Sequence, residues 1–278
     1  MKFRLCLLAA AALLAPVAAH AAQNLVLNGG FETASTTLLK PDGVTPYKNF
    51  ELTVGNTFGT VTNWATTNSP TSNNPYNILF TTGASAGASQ TSSDPNSPTN
   101  SNNAAITQYG GAGSQEYLAG GYNQASPDGG NFMALDGDPS FNGNLSQTVG
   151  GLTTGRLYEL DFYWAVANIA SRSGAMNDYL SVSFGSSTVT TPTMIIPAQP
   201  FQWVKQTYYF TAQSTSQLLS FLSIGSPAGQ PPVALLDGVS LTAAPEPSAL
   251  ALLATGIGAL AFFSRRRRPS GHAQLSAV

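Results

Sequence analysis

The stretch Arg156-Leu157-Tyr158-Glu159-Leu160-Asp161-Phe162-Tyr163-Trp164 decides the fold class. Tyr158, Leu160, Phe162 and Trp164 alternate with Glu159 and Asp161, and a period of two puts the rings and Leu160 on one face of a strand and the acids on the other. Outward from this strand, short apolar runs recur, each closed by turn residues: 24–28, 50–54, 58–64, 76–80, 131–135, 145–149, 179–184, 203–211, 218–224 and 233–241. In the run 203–211, Val204, Tyr208 and Phe210 form the expected inner face. Helical patterning is sparse. About ten strands, mostly joined by connections too short for helical crossovers, predict an all-β fold of antiparallel sheets, a sandwich or barrel.

Two stretches break the pattern. Residues 66–103 are mostly Ser, Asn, Thr, Pro and Gly apart from 76–80, and they read as a long polar surface loop carrying one strand. Residues 110–121 are a second glycine-rich loop, with Tyr109, Tyr117 and Tyr122 in and beside it.

Both ends read as addresses. Lys2 and Arg4, the apolar run 5–17 and Ala19-His20-Ala21 have the three parts of a secretory signal peptide, assigned to residues 1–22. Near the other end, Pro245-Glu246-Pro247 precedes the uncharged apolar run 248–263 and then Arg265-Arg266-Arg267-Arg268. As a helix that run reaches roughly 24 Å, the short end of a bilayer's hydrocarbon core, and the arginines would stay on the cytoplasmic side. The chain therefore reads as exported and, at least transiently, membrane-anchored by its tail.

The segment left between these ends, 23–244, has the length of one large all-β domain. It carries five basic against twelve acidic residues, a formal charge of −7, whereas the whole chain stands at −2. Such a body is poorly suited to nucleic acid or anionic lipid. Cys6, His20 and His272 all lie outside it. That removes disulfides, Ser-His-Asp and Cys-His catalysis, and histidine-ligated zinc from the central domain.

The order Pro-Glu-Pro, short apolar helix, arginine cluster resembles the PEP-CTERM sorting signal, here residues 245–268, followed by a short tail, 269–278. The resemblance implies an exosortase-type sorting enzyme as partner and an exopolysaccharide-producing setting. A second resemblance rests on Asn24-Leu25-Val26-Leu27-Asn28-Gly29-Gly30-Phe31-Glu32, Gly143-Asn144-Leu145-Ser146-Gln147-Thr148-Val149 and Leu235-Leu236-Asp237-Gly238-Val239-Ser240-Leu241. These look like the opening, middle and closing strands of galactose-binding-like jelly rolls, a fold shared by many carbohydrate-binding modules. It implies an antiparallel jelly-roll β-sandwich and a structural Ca²⁺ held by Glu32 and Asp237. As residues alone, those two suit ordinary loop acids equally well. Asp136-Gly137-Asp138 is a rival cation site.

A sugar site requires exposed ring faces with amides and carboxylates beside them. The loop aromatics Trp64, Tyr76, Tyr109, Tyr117 and Tyr122 are the candidates, while Trp164 and Trp203 lie on patterned strands and belong to the core. A glycoside-cleaving carboxylate pair could come from Asp136, Asp138, Glu159 or Asp161. Glu159 and Asp161, however, read as a solvated strand face. The expectation is a non-catalytic surface or matrix protein that binds polysaccharide; the alternative is an adhesion protein that contacts other proteins.

Overall fold

The computed structural model describes residues 23–39, 43–44, 46–47, 49–81, 105–107, 114–116, 118, 125–169, 174–196, 202–230 and 232–245. Among them are sixteen strands: β1 (Ala34–Thr36), β2 (Asn49–Leu52), β3 (Gly59–Val61), β4 (Ala65–Asn68), β5 (Asn77–Phe80), β6 (Ala105–Thr107), β7 (Ser114–Glu116), β8 (Phe132–Asp136), β9 (Gly143–Gly150), β10 (Leu157–Asn168), β11 (Met176–Phe184), β12 (Ser187–Thr190), β13 (Met194–Ile196), β14 (Val204–Thr211), β15 (Ser216–Ser226) and β16 (Pro232–Ala243). The all-β expectation holds.

The pairing is nested. β8 pairs with β16, β9 with β15, β10 with β14 and β11 with β12, all antiparallel. A chain folded on itself in this way and then rolled gives the orders β8-β16-β10-β14 in one sheet and β9-β15-β11-β12 in the other, which is jelly-roll order. The earlier strands extend one side. β5, β2, β6 and β7 continue the first sheet beyond β8, and β4 continues the second beyond β9, so both edges of the roll on that side are covered. β2 and β6 run parallel, an exception to the antiparallel expectation.

The inner faces meet as the alternation predicts. Tyr158, Leu160, Phe162 and Trp164 of β10 are buried, with Leu180, Val182 and Phe184 of β11 and Leu219 and Phe221 of β15 in the same core. Phe162 meets Phe221 edge-on across the two sheets, centroids 5.2 Å apart and planes at 82°. Beyond Trp164 the strand is buried on both faces. Val166 joins the inter-sheet core, whereas Ala165, Ala167 and Ile169 enter a second cluster on the outer side of the eight-stranded sheet. There Phe80 stacks on Phe132 at 5.6 Å and Trp203 meets Phe132 at 77°.

Three expectations change. Residues 24–28 form no strand; Leu25 N–H bonds the Leu241 C=O, and Gln147 accepts from Leu27 N–H at 2.8 Å and donates to Leu27 C=O at 2.7 Å. Gln147 occupies an inward position of β9 just past the end of β4, where this segment takes over as neighbour. The polar stretch from residue 66 is not all excursion: Thr66 is buried within β4, Ser72 is buried and donates to Ser140 C=O at 2.7 Å, and β5 lies inside the eight-stranded sheet. Residues 82–104 lie outside the described residues. The stretch 110–121, read as a loop, contains β7, and β1, β6, β12 and β13 fall outside every predicted run, being too short to show a pattern.

Phe221→Ala is expected to cost about 4 kcal/mol in urea unfolding, through lost transfer energy and a central cavity. Gln147→Ala should cost about 1 kcal/mol, because water can reach part of the Leu27 backbone. A reversed order would contradict this account of the core.

Candidate functional site

The site is built on a change of phase in β16. Asp161 pairs with Ser240 but Tyr163 pairs with Asp237, so Gly238 and Val239 together oppose Phe162. This is a β-bulge with glycine in the left-handed conformation, φ +60°, and a Cβ on Gly238 would lie 2.9 Å from a Tyr163 ring carbon. Ala234 and Leu236 before the bulge and Val239 and Leu241 after it all reach the inter-sheet core. Asp237 faces the other way, on the side of Leu235 and Tyr163.

The opening segment lies across this point. Leu25 N–H bonds Leu241 C=O at 2.8 Å, Leu241 N–H bonds Asn24 Oδ1 at 2.9 Å, and Val239 N–H bonds Gly29 C=O at 3.0 Å. The approach is so close that a Cβ on Gly29 would stand 1.9 Å from Val239 O, which explains the first glycine of Gly29-Gly30. Phe31 adopts φ +58°, uncommon for a bulky residue, and its ring is fully buried against Trp64, centroids 5.2 Å apart.

Under this cover Asp237 is inaccessible to solvent. Its Oδ1 accepts the Gly238 N–H at 2.7 Å, and its Oδ2 has no hydrogen-bond partner among the described residues. Burial pushes the carboxyl up to about 8; the neighbouring Ser126 hydroxyl and the Gly238 N–H oppose the rise, and the charges of Asp128 and Glu32 add to it. Glu32 Oε1 accepts the Asn131 N–H at 2.7 Å. Glu32 and Asp237, paired by sequence resemblance, thus share one neighbourhood, and Asp128 joins them. No group of three or more His, Cys, Asp or Glu among the described residues forms a ready-made metal cluster. A cation here would need backbone carbonyls or water to complete six to eight oxygens. The orphaned, buried Asp237 oxygen and the adjacent carboxylates fit a hard cation.

Above Asp237 opens a groove of about 300 Å³, walled by Gly30, Asp128, Asp161, Tyr163, Lys205 and Ser240 among others. Lys205 Nζ is 2.9 Å from Asp161 Oδ2, and Thr207 donates to Asp161 Oδ1 at 2.5 Å. The hydrogen bond to Asp161 raises the Lys205 ammonium above its usual range. Further along the same face, Tyr209 is 55% exposed and donates to Glu159 Oε2 at 2.9 Å, a bond that raises its phenol. Two tyrosine rings, a carboxylate–ammonium pair and hydroxyls on a rigid sheet can hold a polyhydroxylated ligand. Alternation alone predicts a solvated face for these acids; only the register with β14 and β16 brings Lys205 and Ser240 beside them.

The predicted stacking residues are placed otherwise. Trp64 is buried, donates Nε1–H to Asn28 C=O at 2.9 Å and packs on Phe31 and Phe221; Tyr76 is buried in the second cluster. Neither presents an open ring face. Tyr109, Tyr117 and Tyr122 lie outside the described residues, as do Glu246, Pro247 and Arg265 to Arg268; Pro245 is exposed at the end of the described chain. No described helix is long and apolar enough to cross a membrane, and the run 248–263 is not among the described residues. Asp136 and Asp138 are buried in their own turn, where Asp136 Oδ1 accepts the Asp138 N–H at 2.6 Å and Asp138 Oδ1 accepts the Ser140 N–H at 2.8 Å.

No family model matches the chain, and no curated protein does. Among solved structures, it is similar to TmCBM61 in complex with β-1,4-galactotriose, at 19% identity and TM-score 0.31, covering 43% of this chain and 74% of that one. It is also similar to the N-terminal cellulose-binding domain of Cellulomonas fimi β-1,4-glucanase C, at 15% identity and TM-score 0.26 over 46% and 84% of the two chains. A cyclase from Fischerella sp. TAU matches at 15% identity and TM-score 0.42, over 81% and 98%. At these TM-scores the likenesses are limited, and the strand order and the groove carry the functional reading.

The raised Asp237 carboxyl predicts a pH dependence. Between about 4 and 8 the folded state keeps a proton that the unfolded chain has released, so in cation-free buffer stability should fall as pH rises through that window and level off above it. Asp178, fully buried beside the Ser223 hydroxyl, is pushed upward by burial and slopes the same way. Thermal melts of Asp237→Asn against the parent isolate the first contribution: the variant should lose part of the fall, and identical slopes would refute it.

Proposed function

We propose that this protein is an exported, non-catalytic, polysaccharide-binding component of a cell surface or extracellular matrix. The observation that carries this reading is the groove over β10, β14 and β16. Tyr163 offers ring surface for a pyranose C–H face, while Asp161, Lys205 and Ser240 offer acceptors and donors for hydroxyls; the exposed Tyr209 lies outside the groove, further along the same face. Asp161 is held by Lys205 and Thr207, and Glu159 by Tyr209, an arrangement suited to orienting a ligand rather than to acid/base work on it. With no His or Cys in residues 23–244, the usual activators of a nucleophile are missing.

The tail completes the reading. Pro245-Glu246-Pro247, the apolar run 248–263 and Arg265 to Arg268 would anchor the exported chain transiently in the inner membrane for an exosortase-type enzyme, which then passes it to the surface or the exopolysaccharide matrix. A structural Ca²⁺ belongs to the same reading. Glu32 and Asp237 would hold it with backbone carbonyls or water, and it would supply the positive charge that the buried Asp237 carboxylate lacks.

A glycan array, with pull-down on exopolysaccharide of the producing cell, tests the binding function. Retention is expected, and Tyr163→Ala combined with Lys205→Ala should weaken it at least about tenfold. An adhesion protein without sugar specificity would be retained on no glycan, and that result overturns the proposal. For calcium, the melting midpoint should rise when Ca²⁺ replaces chelator, and Asp237→Asn should abolish the rise. An unmoved midpoint in the parent protein removes the cation.

A further inference from the structure

A second groove, of about 400 Å³, lies on the other sheet. Leu27 and Leu218 supply its apolar lining, with the buried Trp64 behind them, and Asn63, Ser146, Gln147 and Thr148 supply its polar lining. Leu27 is 57% exposed and Leu218 51%, so two large aliphatic side chains flank the opening without covering. Asn63 is fixed at the rim by a tight turn, with φ +69° and Trp64 N–H bonded to Val61 C=O at 3.0 Å.

No ionisable side chain lines this groove, although the domain around it carries a formal charge of −7. The surrounding outer face of the sheet continues in the same manner, through Asn144, Ser181, Ser183, Thr188, Ser220 and Leu222. Carbon walls with an amide and hydroxyl rim match the two sides of a pyranose, whose C–H face packs and whose hydroxyls hydrogen-bond. The absence of charge from the lining matches a neutral sugar, since a uronate or an amino sugar would find no counter-charge there. We infer that this groove is a second glycan site, specific for an uncharged sugar residue.

The two grooves share one wall. Asn24, Gly29 and Gly30 line the first and Leu27 the second, so the segment 24–30 separates them. This second site does not depend on the first, and either can fail alone.

The test is calorimetric titration of the exported chain with neutral hexasaccharides of glucose, mannose and galactose, at low and high salt. Binding that is insensitive to salt is expected, with Leu218→Glu and Thr148→Arg each weakening it at least about tenfold. Both positions are exposed, and unchanged melting confirms that the variants fold. If Leu218→Glu and Thr148→Arg leave all neutral-glycan binding intact, the inference is overturned. It is equally overturned if Tyr163→Ala alone abolishes that binding, or if no neutral hexasaccharide binds while charged glycans do. Loss on Leu218→Glu with none on Tyr163→Ala upholds this site and refutes the first groove for neutral ligands.

Discussion

The extra residue at Gly238 governs how the closing strand can serve this sandwich. Side chains of a strand alternate strictly, so without the bulge the residues following Leu236 on the core face would be Gly238, Ser240 and Thr242. Val239 and Leu241 would then face outward, and the far half of the inter-sheet core would lose its contribution from β16. The left-handed glycine shifts the phase by one, which keeps apolar side chains inward along the whole strand. Asp237, just before the shift, keeps the outward phase of Leu235 and points into the space that the segment 24–31 closes.

That position is also a frontier of polarity on the eight-stranded sheet. On one side of it the outer face is dry, with Ala165, Ala167, Val233 and Leu235 beneath Phe80, Phe132 and Trp203. On the other it is wet and carries Glu159, Asp161, Tyr163 and Ser240. A carboxylate at such a frontier is cut off from water by the dry half and close to the charges of the wet half. This is the physical origin of its high proton affinity. It is also why a rigid groove with polar walls forms here rather than at the middle of either half.

Much of the fold was legible because it follows from alternation. Tyr158, Leu160, Phe162 and Trp164 announced their face, and the closeness of Glu32 to Asp237 followed from the resemblance to rolled sandwiches. Leu25 and Leu27 misled: they alternate like a strand, yet Leu27 faces solvent and its backbone is satisfied by the Gln147 amide, a long-range partner that no local pattern reveals. Trp64 followed loop residues and so looked displayed, but the turn at Asn63 folds its ring back onto Phe31 and Phe221. The groove itself depends on register. Glu159 and Asp161 read as a bare strand face until β14 sets Tyr209 and Thr207 opposite them, with Lys205 opposite the next outward residue, Tyr163. Asp128, in a loop, gave no sign of its place beside Asp237.

The nested pairing also has a mechanical meaning. The described residues end at Pro245, just after β16, and β16 is hydrogen-bonded on one side to β10 along nearly its whole length and on the other, at Val233 to Leu236, to β8. Tension applied at that point runs along the strand, so it loads the β10 ladder in shear, many bonds together, instead of peeling them singly. Ser240, which lines the groove, sits on the same strand as the point of pull. Force applied between Ser240 and Pro245 would pass through one short segment, held by β10 on one side and by the Leu25–Leu241 bond on the other.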